Sequence, residues 1–243
     1  MIFGIVGYGR FGKLLTEALL PFGDIVVYDK SLMSLTPHTQ LKVGTLRDVA
    51  QADLVFLVVP ISEFETTCLE IKNFLKPQTL VVDCCSVKVY PAQIMHQVFS
   101  KTQPLIATHP LFGPDSVKKS GGLKEHKIVI CPIQCDADRE NQLKDIFNRM
   151  GLHVLVTTPE EHDKQMANSQ GLVHFIGRGL AALNIQSQAL STPDFDALLN
   201  INNMVINDTW QLFLDMQRYN PYTKPIREKL IQELIKVHRE VEQ

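Results

Sequence analysis

Up to about residue 157 the chain sets out short apolar runs, many rich in β-branched residues, at intervals wide enough for a helix between them: Ile2 to Val6, Ile25 to Tyr28, Leu54 to Val58, Leu80 to Asp83, Leu105 to Ala107, Ile128 to Cys131 and His153 to Val156. Runs that are apolar throughout, with no polar alternation, belong in strands covered on both faces. The intervening stretches supply the cover. Phe11 to Leu20 places Leu14, Leu15, Ala18 and Leu19 on one stripe, and Asp138 to Met150 turns Leu143, Ile146 and Phe147 inward, with Gly151 as its stop. The pattern predicts an α/β unit with a doubly wound, mostly parallel sheet.

After Thr158 the β-branched runs cease and helical periodicity takes over, through Gln165 to Leu183, Phe195 to Tyr219 and Pro225 to Val241. Thr158-Pro159-Glu160-Glu161 reads as a helix start, with a capping residue, proline at the first position and acids in the first turn. Two domains follow from this change, residues 1–157 and a smaller all-α domain at 158–243. In the last segment Ile226, Leu230, Leu234 and Val241 share a stripe that Arg227, Glu228, Lys229 and Glu233 avoid. Such a stripe needs a partner, and a homodimer through the helical domain is expected.

The 243 residues are 45% hydrophobic with a net charge of −2. There is enough chain for a sizeable core, and no basic field to attract nucleic acid or an anionic membrane. A small-molecule partner is expected. The N-terminus enters a strand pattern at once, and no apolar run is long enough to span a bilayer, so the reading is a soluble cytoplasmic protein. The cysteines, Cys68, Cys84, Cys85, Cys131 and Cys135, are odd in number, which argues against a disulfide framework. Cys131 and Cys135 lack zinc-knuckle spacing and a second ligand pair, so no metal is expected.

Gly7-Tyr8-Gly9-Arg10-Phe11-Gly12 follows the first strand directly and opens the first helix, the context that a dinucleotide fingerprint requires. Gly7 permits a tight turn, Gly9 lets backbone approach a pyrophosphate, and Gly12 lets helix and strand pack closely. The helix start adds N–H groups and a positive dipole end. Asp29 ends the second strand about 20 residues on, where an acid accepts hydrogen bonds from a ribose 2′-hydroxyl and repels a 2′-phosphate. A Rossmann-like fold binding NAD in preference to NADP is therefore expected, with neighbouring Lys30 and Ser31 able to accommodate a phosphate in part. Pro60 and Ser62, in the loop after the strand Leu54 to Val58, complete the expected cofactor contacts.

Parallel strands deliver their following loops to one edge. On that edge would meet Val59-Pro60-Ile61-Ser62, Cys84-Cys85-Ser86-Val87-Lys88 and Thr108-His109-Pro110. His109, between an apolar strand and a stiff turn, suits proton transfer from a hydroxyl, and Ser86 could orient its imidazole. Lys88 either holds a substrate carboxylate or caps its helix.

Gly7 to Gly12, Asp83 to Lys88 and Thr108-His109-Pro110-Leu111-Phe112-Gly113-Pro114 together resemble the prephenate/arogenate dehydrogenase family of tyrosine biosynthesis, and the likeness continues through Glu161-His162-Asp163 and Ser169-Gln170-Gly171-Leu172-Val173-His174. The second half is most similar to plant-type arogenate dehydrogenases. The resemblance implies NAD(P)-dependent oxidative decarboxylation of a cyclohexadienyl substrate, with His109 as catalytic histidine, Ser86 beside it and His174 in the substrate pocket. It also exposes a departure. Prephenate-using members commonly carry a carboxylate-binding arginine where Asn207 stands here, and the adjacent Asp208 matches an acid of arogenate-type members that would pair with the substrate's amine. Arg178 or Arg218 could supply the missing cation. Two other readings stay open: a non-catalytic NAD-sensing protein on the same fold, and a reductase of the β-hydroxyacid dehydrogenase or pyrroline-carboxylate reductase kind.

Overall fold

The structure is a computed structural model that describes residues 1–31 and 39–242. The chain forms two compact units, Met1–Pro159 and Glu160–Gln243. In the first, the described strands are β1 (Ile2–Val6), β2 (Asp24–Tyr28), β3 (Leu41–Val43), β4 (Leu54–Leu57), β5 (Leu80–Asp83), β6 (Leu105–Pro110), β7 (Lys127–Gln134) and β8 (His153–Val156). They form one sheet in the order β3-β2-β1-β4-β5-β6-β7-β8. All neighbours are parallel except β6 and β7. The helices of this unit are α1 (Arg10–Leu19), α2 (Leu46–Val49), α3 (Phe64–Ile71), α4 (Val89–Val98), α5 (Pro114–Ser120) and α6 (Ala137–Arg149).

On one face Phe3, Ile5, Leu54, Phe56, Leu80, Val82 and Ile106 form a core with Leu15 and Leu19 of α1 and Leu143, Ile146 and Phe147 of α6. The pleat turns Val55, Leu57 and Val81 to the opposite face, where they too are fully buried. This two-sided burial is why the strands are apolar at every position. Each large side chain sealed in this way contributes roughly 1.5–3 kcal/mol. Helix α6 starts on Asp136, whose side chain accepts from the Arg139 N–H at 2.8 Å. It stops at Gly151, whose φ of 83° lets the Gly151 and Leu152 amides return to the Asn148 and Phe147 carbonyls.

The sheet departs from the sequence reading in three places. Strand β3 is a short edge strand with exposed Lys42 and Val43, too brief to show a period. Strand β6 runs on past Ala107 through Thr108 and His109 to Pro110, because an antiparallel partner continues its ladder. His109 therefore lies within the strand, opposite Val129, and not in a turn after it. Strand β7 likewise continues past Pro132, since β8 pairs only as far as Ile130 and leaves that edge of β7 without a ladder to break.

The second unit is helical: α7 (Pro159–Met166), a π turn at Ala167–Gly171, α8 (Leu172–Ala182), α9 (Pro193–Ile206), α10 (Trp210–Tyr219) and α11 (Thr223–Val241). A Cβ at Gly177 would lie 3.1 Å from the Val205 side chain, so a glycine there allows α8 and α9 to pack at close range. The stretch from Phe195 to Tyr219, periodic in sequence, is two helices. Thr209 breaks it by capping α10, its hydroxyl accepting from the Leu212 N–H at 3.1 Å.

Candidate active site

Because β1, β4, β5 and β6 are mutually parallel, their carboxyl ends fall on one edge of the sheet and bring the glycine turn, Pro60, Ser86 and His109 to that edge. Each glycine of the turn has its own reason. Gly7 sits at φ 101°, and a Cβ there would lie 2.1 Å from the Val58 carbonyl oxygen. A Cβ at Gly12 would lie 2.2 Å from the Gly7 carbonyl oxygen. Gly9 has ordinary extended backbone, φ −70° and ψ −165°, and a Cβ there would meet nothing among the described residues within 4 Å. Nothing among the described residues demands a glycine at that position. A cradle kept clear at the start of α1, where no side chain caps the helix, fits a phosphate group drawn against backbone.

Asp29 closes the turn. One of its oxygens accepts from the Tyr8 N–H at 2.8 Å, and the other accepts from the Ser31 N–H at 2.9 Å and the Ser31 hydroxyl at 2.7 Å. Partial burial pushes its carboxyl up, but the hydrogen bonds from Tyr8 and Ser31 prevail and hold it below the usual carboxylate range. It is a fixed anion beside the turn. Arg10 pairs with Asp115 at 2.5 Å with both side chains more than half exposed. Phe11 points into the core, its ring centroid 6.1 Å from that of Phe112, so what it can offer a ligand is its backbone. Pro60 and Ser62 are exposed.

The ends of β5 and β6 are joined by a buried ion pair. The Lys88 ammonium donates to both carboxylate oxygens of Asp83, at 2.5 and 2.7 Å, and to the Thr108 carbonyl at 2.5 Å. Both charged side chains are wholly buried. The β5–β6 ladder ends at Asp83 and Ala107, and beyond it Lys88 occupies the place of the next rung, with the Thr108 hydroxyl donating back to the Asp83 carbonyl at 2.6 Å. This corrects the reading of Lys88 as a substrate ligand: its three N–H bonds are engaged by protein acceptors in a sealed site. Burial pushes the Asp83 carboxyl up, while Lys88 and the Cys85 N–H draw it back. His109, 2% exposed, thus has the β7 ladder on one side of its backbone and the Lys88 clamp beneath the residue before it. Ser86 is half-buried on the neighbouring loop. The thiols of that loop are no nucleophiles: burial, followed by the Asp83 charge, pushes Cys84 up to about 12 and Cys85 well above its ordinary value.

In the helical unit His174 stands 3.8 Å from the Asp208 carboxylate, with its Nδ1 buried and lacking a hydrogen-bond partner among the described residues. Burial lowers its pKa, Asp208 draws it back up and Arg178 pushes it down, so the imidazole is neutral at pH 7. Asn207 is the C-cap of α9. Arg178 donates to the Asp208 backbone carbonyl and lies over the rings of Trp210 and Phe213, 5.3 and 5.7 Å from their centroids. Arg218 is exposed. Arg178 had a signal in the sequence, its i, i+4 spacing from His174, but that spacing does not disclose a bond to a turn thirty residues away. Arg227 donates to Gln217 and Thr223 and is structural. His162 and Asp163 of the Glu161-His162-Asp163 motif form a buried pair at 2.7 Å.

The prephenate dehydrogenase, nucleotide-binding domain family matches residues 22–156. The chain belongs to the prephenate dehydrogenase family. A second match, to the TYRAAT1-like C-terminal domain, covers residues 179–243 of this family member. Arogenate dehydrogenase 1, chloroplastic, of Arabidopsis thaliana is 30% identical over 230 residues, covering 90% of this chain and 36% of the relative. Arogenate dehydrogenase 2, chloroplastic, of the same plant is 28% identical over 232 residues, covering 89% of this chain and 63% of the relative. The chain thus spans between a third and two thirds of the length of these relatives. Among solved structures, prephenate dehydrogenase from A. aeolicus, crystallised with hydroxyphenyl propionate and NAD+, has a TM-score of 0.75 at 19% identity, covering all of this chain and 92% of that one. The fold of this prephenate dehydrogenase family member is therefore the expected one, and its likeness to the plant arogenate enzymes is real. No described helix is long and apolar enough to cross a membrane.

Proposed function

We propose that this protein is an NAD-dependent dehydrogenase that oxidatively decarboxylates arogenate, with prephenate the poorer substrate. The observation that carries the reading is His109, clamped at the carboxyl end of β6 on the same sheet edge as a glycine turn with an open cradle at Gly9 and a fixed anion at Asp29. NAD, when bound, accepts hydride from the ring carbon that bears the hydroxyl. The glycine turn and the start of α1 would hold its pyrophosphate and Asp29 its ribose. His109 takes the proton of the ring hydroxyl, and Ser86 orients the imidazole. Loss of the ring carboxylate as carbon dioxide makes the ring aromatic and draws the step forward.

In the helical unit His174, neutral and short of one partner, supplies a hydrogen bond to substrate, and Asp208 supplies the anion that an amine needs. Arogenate carries that amine and prephenate carries a keto group in its place. The absence of arginine at Asn207 supports the same preference, since asparagine makes no bidentate grip on a carboxylate. The exposed apolar row of α11, Ile231, Leu234, Ile235, Val237 and Val241, supports a homodimer through this unit. The free cysteines support a reducing compartment, in our reading the cytoplasm.

The test is to mix purified protein with arogenate or prephenate and with NAD or NADP, and to follow reduced-cofactor absorbance. Arogenate with NAD will be turned over fastest, and no turnover with either substrate would overturn the proposal. Asp208→Asn is expected to lower the ratio of kcat/KM for arogenate over prephenate roughly tenfold, the worth of one charge-assisted hydrogen bond. An unchanged ratio removes Asp208 from specificity. Asp29→Ser is expected to cut the preference for NAD over NADP by about tenfold or more, because it removes both the ribose acceptor and the repulsion of a 2′-phosphate. Equal cofactor ratios in variant and parent would refute that assignment.

A further inference from the structure

The joint between α9 and α10 carries Asp208, and α9 brings no basic residue to its own last turn. A helix C-terminus of this kind leaves carbonyls and a negative dipole end to be satisfied from elsewhere. Arg178, on the neighbouring α8, brings a cation to the joint just past that terminus. Its guanidinium donates to the Asp208 carbonyl, and its plane is held by Trp210 and Phe213, both on α10. The same side chain therefore ties the residue just past the C-cap of α9 to the first turn of α10. Its Nε is buried with no hydrogen-bond partner among the described residues, so among them the position of the group is set by the aromatic rings and the Asp208 carbonyl. The Gly177–Val205 contact packs α8 on α9 independently of this cluster.

We infer that Arg178 is a positioning residue for substrate selection: by pinning the Asp208 carbonyl between α9 and α10, it fixes the Asp208 carboxylate beside His174, where it receives the ammonium of an α-amino acid headgroup. The inference rests on the reading of Asp208 given above. It also removes Arg178 from the cations available to a substrate carboxylate, because the residue is engaged in holding the turn.

The test compares Arg178→Gln and Arg178→Lys with the parent and with Asp208→Asn. For Arg178→Gln, kcat/KM for arogenate falls about tenfold, chiefly through KM, while prephenate stays within about twofold. Calorimetric titration gives the same pattern for the products, with affinity for L-tyrosine down about tenfold and affinity for 4-hydroxyphenylpyruvate unchanged. Trp210, the single tryptophan of the chain, reports on the cluster directly through its emission. Lysine keeps the charge but loses the planar fork, so Arg178→Lys falls between. If Arg178→Gln does not fold, as circular dichroism would reveal, Arg178→Lys carries the test with the same sign. Equal losses for both substrates, or losses for neither, overturn the inference. If Asp208→Asn alters the ratio and both Arg178 variants leave it alone, only the role of Arg178 fails. If Asp208→Asn also leaves it alone, the substrate reading fails first.

Discussion

Replacing His109 by asparagine will lower kcat by roughly two to four orders of magnitude, the usual worth of a positioned general base, and will leave NAD affinity within about twofold. Asparagine keeps a hydrogen-bonding side chain of similar reach but cannot take a proton. The strand should tolerate it, because His109 is held by its backbone ladder to β7 and by the clamp on Thr108. Stopped-flow turnover and calorimetric NAD binding on the same preparation separate the two effects. A variant that turns over at close to the parental rate would show that the proton leaves by another route, and a variant that loses NAD binding as well would point to a collapsed sheet edge.

The second large effect is on folding. Lys88→Met keeps the length and apolar stem of the side chain and deletes the ammonium, leaving Asp83 and the Thr108 carbonyl buried without their donor. Stranding one half of a buried pair costs about 3–5 kcal/mol. Adding Asp83→Leu should recover most of that loss, because a buried ion pair stabilises little relative to apolar residues of similar volume. The deficit of the single variant should also depend on pH. Burial already pushes the Asp83 carboxyl up, and without Lys88 nothing of comparable strength draws it back. A group whose folded pKa exceeds its unfolded value contributes stability below the unfolded pKa and loses it as pH rises through the folded one. The variant should therefore approach the parent in stability as pH falls toward about 4, the ordinary carboxylate value, and lag increasingly above it. Urea melts of the parent, the single and the double variant across this range provide the check. A Lys88→Met protein as stable as the parent at neutral pH would mean that the clamp is not what joins β5 to β6.

The sheet was legible because its strands are buried on both faces, and two-sided burial writes itself into sequence as unbroken apolar runs such as Leu54 to Val58. The glycine turn was legible for a related reason, since each glycine answers a local steric demand or clears a local space. What escaped were features fixed by partners remote in sequence. Thr108 and His109 look like a turn because polar residues precede a proline, and only the antiparallel β7 makes them strand. Lys88 looks like a ligand because a lysine is usually wet, and only Asp83 and Thr108 show that it is spent. Asn207 and Asp208 look helical because the apolar period carries through them, and the break rests on a single threonine cap. Arg178 had no sequence neighbour that would disclose its task.

The antiparallel return of β7 has a consequence for how such a protein can vary. Residues 111–126, which follow His109, leave and re-enter the sheet on adjoining strands, and the Leu111 N–H already bonds the Lys127 carbonyl at 2.9 Å. The excursion is tied at its base by this rung, by the Glu125 N–H to the Gly151 carbonyl and by Phe112 and Leu123 packed against the core, while residues 118–121 at its tip are exposed. Lengthening the exposed tip adds little entropic penalty, about 0.6 kcal/mol for each doubling of a flexible loop, and leaves the core-packed residues at its base in place. Insertions at the exposed tip, residues 118–121, can therefore reshape the excursion while His109 keeps its register. That makes this tip, and not the Leu111-Phe112-Gly113-Pro114 end that carries the family motif, the natural place to look for divergence among related chains.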